Sequence, residues 1–197
     1  MRVTPGTTLC TKIVSVSPSM IASPTTPSDR IGQFTETVDS LDLPSYGFEP
    51  LPPGTVNAGR YEIAGLLARG GYSAVYRAHD RDLKGGIALK IIRPERISAA
   101  TESRLRREVT VARAAQSRHL VRVFDLGSDG GVVFLTMELI DGESLRQKIV
   151  REGHMSVIEA AEIATQMLRG LEALHDLKTI HRDVKPENVL IAVDGTV

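Results

Sequence analysis

Cysteine is almost missing from this sequence: Cys10 is the single one among 197 residues. No disulfide within the chain can form, which fits a reducing compartment. An excess of either charge is missing too, since 24 Lys and Arg balance 24 Asp and Glu for a formal net charge of zero. That balance removes any global electrostatic case for binding nucleic acid or an anionic membrane surface. No apolar run approaches the roughly 20 residues that would span a bilayer. A signal peptide is not legible either. Arg2 supplies a positive start, but Thr7, Thr8, Thr11, Lys12 and Ser15 interrupt any apolar core behind it. These absences together predict a cytoplasmic chain with no membrane segment and no nucleic-acid partner. What remains is ordinary globular material, 42% hydrophobic and 24% charged, long enough for one domain with a real core.

The chain divides near residue 57. Residues 1–57 are rich in Ser, Thr and Pro, as in Ser15-Val16-Ser17-Pro18-Ser19 and the later Pro24, Pro27, Pro44, Pro50, Pro52 and Pro53. No helical or strand period persists there, so this segment is expected to be mostly disordered. From Tyr61 onward strand-like runs appear at 61–67, 74–79 and 87–92. A charged stretch over 98–116 places Leu105, Val109, Ala112 and Gln116 on one helical face. Strands are predicted at 121–126 and 132–138, joined by a hairpin turn at Ser128-Asp129-Gly130-Gly131. Helices are predicted at 143–150 and 156–177, the second capped by Ser156 with Glu159 completing a capping box. The order is an α+β one, a small sheet lobe followed by a helical lobe.

Several segments carry possible chemistry. In Leu67-Ala68-Arg69-Gly70-Gly71-Tyr72-Ser73-Ala74-Val75 small residues stand between two strands, where a hairpin's backbone N–H groups can approach phosphate, or simply make a turn. Lys90, inside Ile87-Ala88-Leu89-Lys90-Ile91-Ile92, is either a solvent-facing lysine on a half-buried strand or a charge that needs a partner. Glu108 is a candidate partner, or part of a solvated helix face. Phe134-Leu135-Thr136-Met137-Glu138-Leu139-Ile140 reads as a strand leaving the sheet or as an apolar edge strand. The most specific segment is His181-Arg182-Asp183-Val184-Lys185-Pro186-Glu187-Asn188, which follows an amphipathic helix and matches H-R-D-x-x-x-x-N at every fixed position.

Read together with Lys90, that segment makes the chain resemble protein serine/threonine kinases, most closely their bacterial branch. The resemblance covers Tyr61 to Val197. It implies a kinase-like sheet lobe over about 58–140 and the first part of a helical lobe over about 141–197. It implies ATP and magnesium as cofactors and a protein as substrate. Asp183 would accept or orient the proton of the attacking hydroxyl, Lys185 would offset charge on the transferred group, and Asn188 would hold magnesium. Lys90 would meet the phosphates, steadied by Glu108. Leu67, Gly70, Gly71, Val75, Ala88 and Met137 would line the nucleotide site, with the Glu138 carbonyl and the Ile140 N–H on the adenine edge. Arg182 resembles the arginine that pairs with a phosphorylated activation loop in related kinases. In the glycine-rich loop, Ala68 and Ser73 replace the first and third glycines of the family pattern.

The family's Asp-Phe-Gly segment does not appear between Asn188 and Val197; Asp194-Gly195 reads as a hairpin turn between two short strands. A domain truncated at this point is expected to be impaired or inactive in phosphoryl transfer. The alternative is a catalytically dead nucleotide-binding or interaction module. A third reading, a non-kinase scaffold, requires the motifs to coincide by chance. The helix at 156–177 carries two apolar stripes, Val157, Ala161, Ala164, Leu168 and Leu171 on one, Ala160, Ile163, Met167 and Leu174 on the other. Apolar residues on more than one face predict an exposed surface through which copies associate.

Overall fold

A computed structural model describes residues 9–13, 49–71, 73–94 and 97–193. A six-stranded antiparallel sheet runs β2 (Val56–Asn57), β3 (Tyr61–Arg69), β4 (Ser73–Asp80), β5 (Gly85–Ile92), β7 (Val132–Glu138) and β6 (Val123–Asp129) in that spatial order. Between β5 and β6 the chain crosses one face of the sheet as helix α1 (Ala99–Ala114). After β7 come β8 (Gly142–Ser144), α2 (Leu145–Glu152), α3 (Val157–Asp176), a 3-10 turn at Pro186–Asn188, and β9 (Val189–Val193). The predicted α+β order, a sheet lobe and then helices, is the order observed. No helix among the described residues is long and apolar enough to cross a membrane.

Alternation decides which residues face which core. Ile87, Leu89 and Ile91 of β5 join Tyr61, Ile63, Tyr76 and Phe134 on one face. Ala88 and Ile92 join Leu105, Val109 and Ala112 of α1 and Leu135 and Met137 of β7 on the other. Lys90 alternates with Ala88 and Ile92, so it belongs to this second face. Gln116, expected on the same helical face as Leu105, Val109 and Ala112, lies beyond the helix end and is exposed. The helix stops because Ala115 turns extended, at φ −72° and ψ 98°. The β6–β7 hairpin closes as predicted, with Gly130 and Gly131 both at positive φ, 55° and 81°, the two-residue turn that matches strand twist.

Two further expectations change. Ser156 caps α3 by accepting from the Glu159 N–H at 3.1 Å, but Glu159 gives its carboxylate to Lys148 Nζ at 2.9 Å instead of returning it to the cap. The complete capping box lies at α2, where Ser144 and Gln147 satisfy each other's backbone N–H groups. Within the segment expected to lack structure, Leu9–Ile13 forms strand β1, antiparallel to β9 in the register Ile13 to Val189 and Leu9 to Val193. A second sheet thus runs β1, β9, β8. The rest of residues 1–48, apart from β1, and the Asp194-Gly195 turn lie outside the described residues.

The two stripes of α3 separate over most of their length, but Leu171 of the first packs with Met167 and Leu174 of the second. Ile163 and Leu174 are buried, and Met167 packs beside each of them. Val157, Ile158 and Leu168 face outward, at 86%, 75% and 64% exposure. An apolar surface is therefore open on one side of α3, as its sequence predicts.

Candidate active site

The loop His181 to Asn188 is built around Asp183. Its backbone N–H donates to the His181 carbonyl at 2.9 Å and lies 3.3 Å from His181 Nδ1. His181 is itself buried, so the start of the loop is anchored in the fold. Arg182 adopts the left-handed region, φ 62°, which a non-glycine residue enters at a cost of about 1–3 kcal/mol and which clusters at functional sites. Asn188 Nδ2 donates to the Asp183 carbonyl and to Asp183 Oδ2, both at 2.8 Å. Lys185 Nζ stands 3.2 Å from the same Oδ2. The three residues that the motif places at positions 183, 185 and 188 thus converge on one carboxylate.

Lys90 approaches this group from the sheet lobe. It sits on the central strand β5, opposite Val75 of β4 and Leu135 of β7, at 3% exposure. Burial pushes its ammonium down to about 8, and the nearby Asp183 and Glu108 carboxylates oppose that shift. The helical lobe's aspartate and the sheet lobe's lysine therefore share one field. Glu108, on the inner side of α1, is half-buried. Burial pushes its carboxyl up, against the pull of Arg104, Arg182 and Lys90. Its Oε2 has no hydrogen-bond partner among the described residues. The predicted link between Lys90 and Glu108 is thus electrostatic reach, with Oε2 left available.

The other candidate residues fall around this centre. Val75, Ala88, Met137 and Ile140 belong to one apolar cluster. Glu138 ends β7, and Leu139 and Ile140 follow it, half-buried. Leu67, near the end of β3, and Gly70 and Gly71, on the loop between β3 and β4, are exposed, and the Gly70 N–H donates to the Ser73 carbonyl at 2.8 Å. Arg93 supports this loop by donating to the Gly70 carbonyl at 3.1 Å. A cavity of about 540 Å³ lies elsewhere, between the end of α1 and β6, and none of the candidate residues line it.

Sequence reasoning missed two neighbours of the site. Leu190 of β9 packs against the cluster that contains Val75, Ala88 and Met137. The apolar run after Asn188 carries that signal. Lys12 of β1 pairs with Glu138 Oε1 at 2.5 Å, and nothing local in the sequence announces it.

The model of the protein kinase domain matches residues 61–197. This chain belongs to the protein kinase family. Among curated relatives it is 35% identical to the probable serine/threonine-protein kinase PknA2 of Bifidobacterium longum, over 74% of this chain and 20% of that protein. It is 39% identical to the serine/threonine-protein kinase PknL of Mycobacterium tuberculosis, over 70% of this chain and 35% of that protein. The chain thus spans between a fifth and about a third of the length of these relatives. Among solved structures, the PknI kinase domain of M. tuberculosis superposes with a TM-score of 0.65 at 27% identity, covering 73% of this chain and 60% of that one. The kinase fold and the bacterial serine/threonine branch of the family follow from these matches.

Proposed function

We propose that residues 58–197 form a kinase domain, with lobes over about 58–140 and 141–197, that binds ATP and directs its γ-phosphoryl group to serine or threonine hydroxyls of a protein in the cytoplasm. The observation that carries this reading is the convergence of Asn188 and Lys185 on Asp183 at 2.8 and 3.2 Å, within the field of Lys90. Asp183 supplies a carboxylate that orients the attacking hydroxyl and takes its proton. Lys185 offsets negative charge on the transferred group, and Lys90 does the same for the phosphates. Val75, Ala88, Met137, Ile140 and Leu190 give the apolar walls for a planar base. The backbone of Glu138 and Ile140 offers the polar edge, and Leu67, Gly70 and Gly71 stand where a loop would cover phosphate.

Magnesium fits this donor set in part. Asn188 Oδ1 and an oxygen of Asp183 are oxygen donors of the type it prefers, while no group of three or more His, Cys, Asp or Glu that could hold a metal occurs among the described residues. Bound with ATP, the metal would neutralise charge on the phosphates. A second reading, nucleotide binding without turnover, draws on the buried Glu108 Oε2 that no donor meets among the described residues.

Incubation with labelled ATP, magnesium and a serine-containing protein separates the two. Transfer that disappears in Lys90→Met and in Asp183→Asn supports the kinase reading. ATP binding with no transfer supports the second reading, and absence of nucleotide binding overturns both.

A further inference from the structure

Arg93 follows the last residue of β5 and is only 8% exposed. A buried guanidinium needs acceptors for its donors. One acceptor lies in the glycine-rich loop, where Arg93 Nη2 donates to the Gly70 carbonyl at 3.1 Å. The strand register explains the reach. Ser73, at the far end of the loop, pairs with Ile92, so the residue after Ile92 stands beside the loop. The Gly70 N–H is engaged as well, donating to the Ser73 carbonyl at 2.8 Å. Both polar groups of Gly70 are therefore held within the fold, and the next donor along the loop is the N–H of Gly71.

Two geometric rules fix where that donor points. A trans peptide turns the carbonyl of one residue and the N–H of the next in opposite directions, and every described peptide bond is trans. With the Gly70 carbonyl drawn to Arg93, the Gly71 N–H points away from Arg93. Alternation along β5 puts Ala88 and Ile92, and Lys90 between them, on one face of the sheet and Ile91 on the other. Continued by one residue, it puts Arg93 on the face of Ile91. Away from Arg93 is therefore toward the face that carries Lys90. Nothing else holds this peptide in place: a Cβ built on Gly71 would meet no described atom within 4 Å. A peptide between two glycines flips at little cost, and a flipped one would turn its carbonyl oxygen toward the phosphates.

We propose that Arg93 is a positioning residue for phosphate: by holding the Gly70 carbonyl it keeps the Gly70–Gly71 peptide from flipping and aims the Gly71 N–H at an anionic oxygen on the Lys90 side of the loop. Lys90 then meets the phosphates with its charge, and Gly71 meets them from the loop with a backbone donor. This assignment rests on the nucleotide reading above and adds to it the group that orients the loop. It concerns the phosphates alone, because Val75, Ala88 and Met137, assigned to the base, belong to the cluster on the opposite face from Arg93.

Affinities of the full chain for ATP and for adenosine, both with magnesium, test this. Arg93→Met keeps an apolar stem and removes the donor. It is expected to weaken ATP binding about tenfold and adenosine binding by less than about twofold. The loss for ATP should be the same at about 50 mM and about 500 mM salt, because a contact made through a backbone hydrogen bond, unlike a distant charge, is not screened. Arg93→Lys restores a donor and should bring ATP affinity to within about threefold of the native chain. Equal losses for the two ligands make Arg93 a residue of the fold alone, and a loss that fades with salt makes it a distant charge; either overturns the proposal. So does an ATP affinity that Arg93→Met leaves unchanged, or an Arg93→Lys variant as weak as Arg93→Met. A native chain that fails to bind ATP overturns the nucleotide reading itself, and this assignment with it.

Discussion

Replacing Lys90 by methionine should make the protein more stable while it removes the charge proposed to meet the phosphates. Lys90 is 3% exposed on a central strand, and burial lowers its ammonium from an ordinary value of 10.5 to about 8. A lowered lysine is protonated more reluctantly in the folded chain than in the unfolded one. Its charge therefore opposes folding, fully below pH 8 and progressively less as pH rises toward 10.5. At 1.36 kcal/mol per unit, the penalty is about 3 kcal/mol at pH 7, about 2 at pH 9 and below about 1 at pH 10. Methionine has a similar length and no charge to bury, so Lys90→Met should gain a large part of this at pH 7. Urea denaturation of both proteins at pH 7, 9 and 10, at fixed ionic strength, measures the gap. The gap should narrow with rising pH. A variant that is less stable at pH 7, or a gap that does not move with pH, would refute the argument that the fold holds Lys90 at an energetic cost for the sake of its position.

Three other outcomes follow from the same structure. Asp80 accepts from Arg60 Nε and Nη2 at 2.8 and 2.7 Å and from the backbone of Asp82 and Leu83, which holds its carboxyl down at about 2. A lowered carboxylate stabilises above its unfolded value and loses that contribution as pH falls through its folded one, so Asp80→Asn should cost about 1–2 kcal/mol at pH 7, allowing for the partly exposed Arg60, and less as pH drops below about 4; thermal melts at pH 7 and pH 3 check this. A Cβ on Gly142 would stand 2.0 Å from the Ile191 carbonyl oxygen, so Gly142→Ala should lose about 2–3 kcal/mol by forcing β8 off β9, visible as lost exchange protection in β9 with the β3–β4 pairing intact. The outward Val157, Ile158 and Leu168 of α3 should drive self-association that Leu168→Gln weakens, read in sedimentation as a smaller rise of average mass with protein concentration.

Most of the chemistry could be read from the sequence because it is local. Asp183, Lys185 and Asn188 lie within a single short loop, and a 3-10 turn at Pro186 to Asn188 is enough to bring them onto one carboxylate. The strands of the sheet lobe were visible for a similar reason: neighbours in sequence are mostly neighbours in the sheet, and the Gly130–Gly131 turn announces its hairpin. What escaped depends on partners far away in the chain. Glu159 looked like half of a capping box, but a buried Lys148 with two carboxylates around it competes for the same side chain, and a buried ammonium needs a counter-charge more than the N-cap N–H needs an acceptor. β1 carries too little pattern in five residues to stand out from a polar segment, and only the edge of β9 gives those residues a place to pair.

The field at the site belongs to this second class. Neither Lys90 nor Asp183 has an unusual setting in sequence, and a lysine between isoleucines is more often a residue of a half-exposed strand. The lowered ammonium arises because α1, β7 and β9 close around β5 and exclude water from a charge whose oppositely charged neighbours come from two lobes. Local motifs therefore choose which groups are present, while the packing of distant elements decides how strongly they act on one another. By that reasoning, a change at Lys12 or Gly142, neither of which is assigned to touch a substrate, should alter the site through β9, and a change on the outward face of α3 should leave it alone.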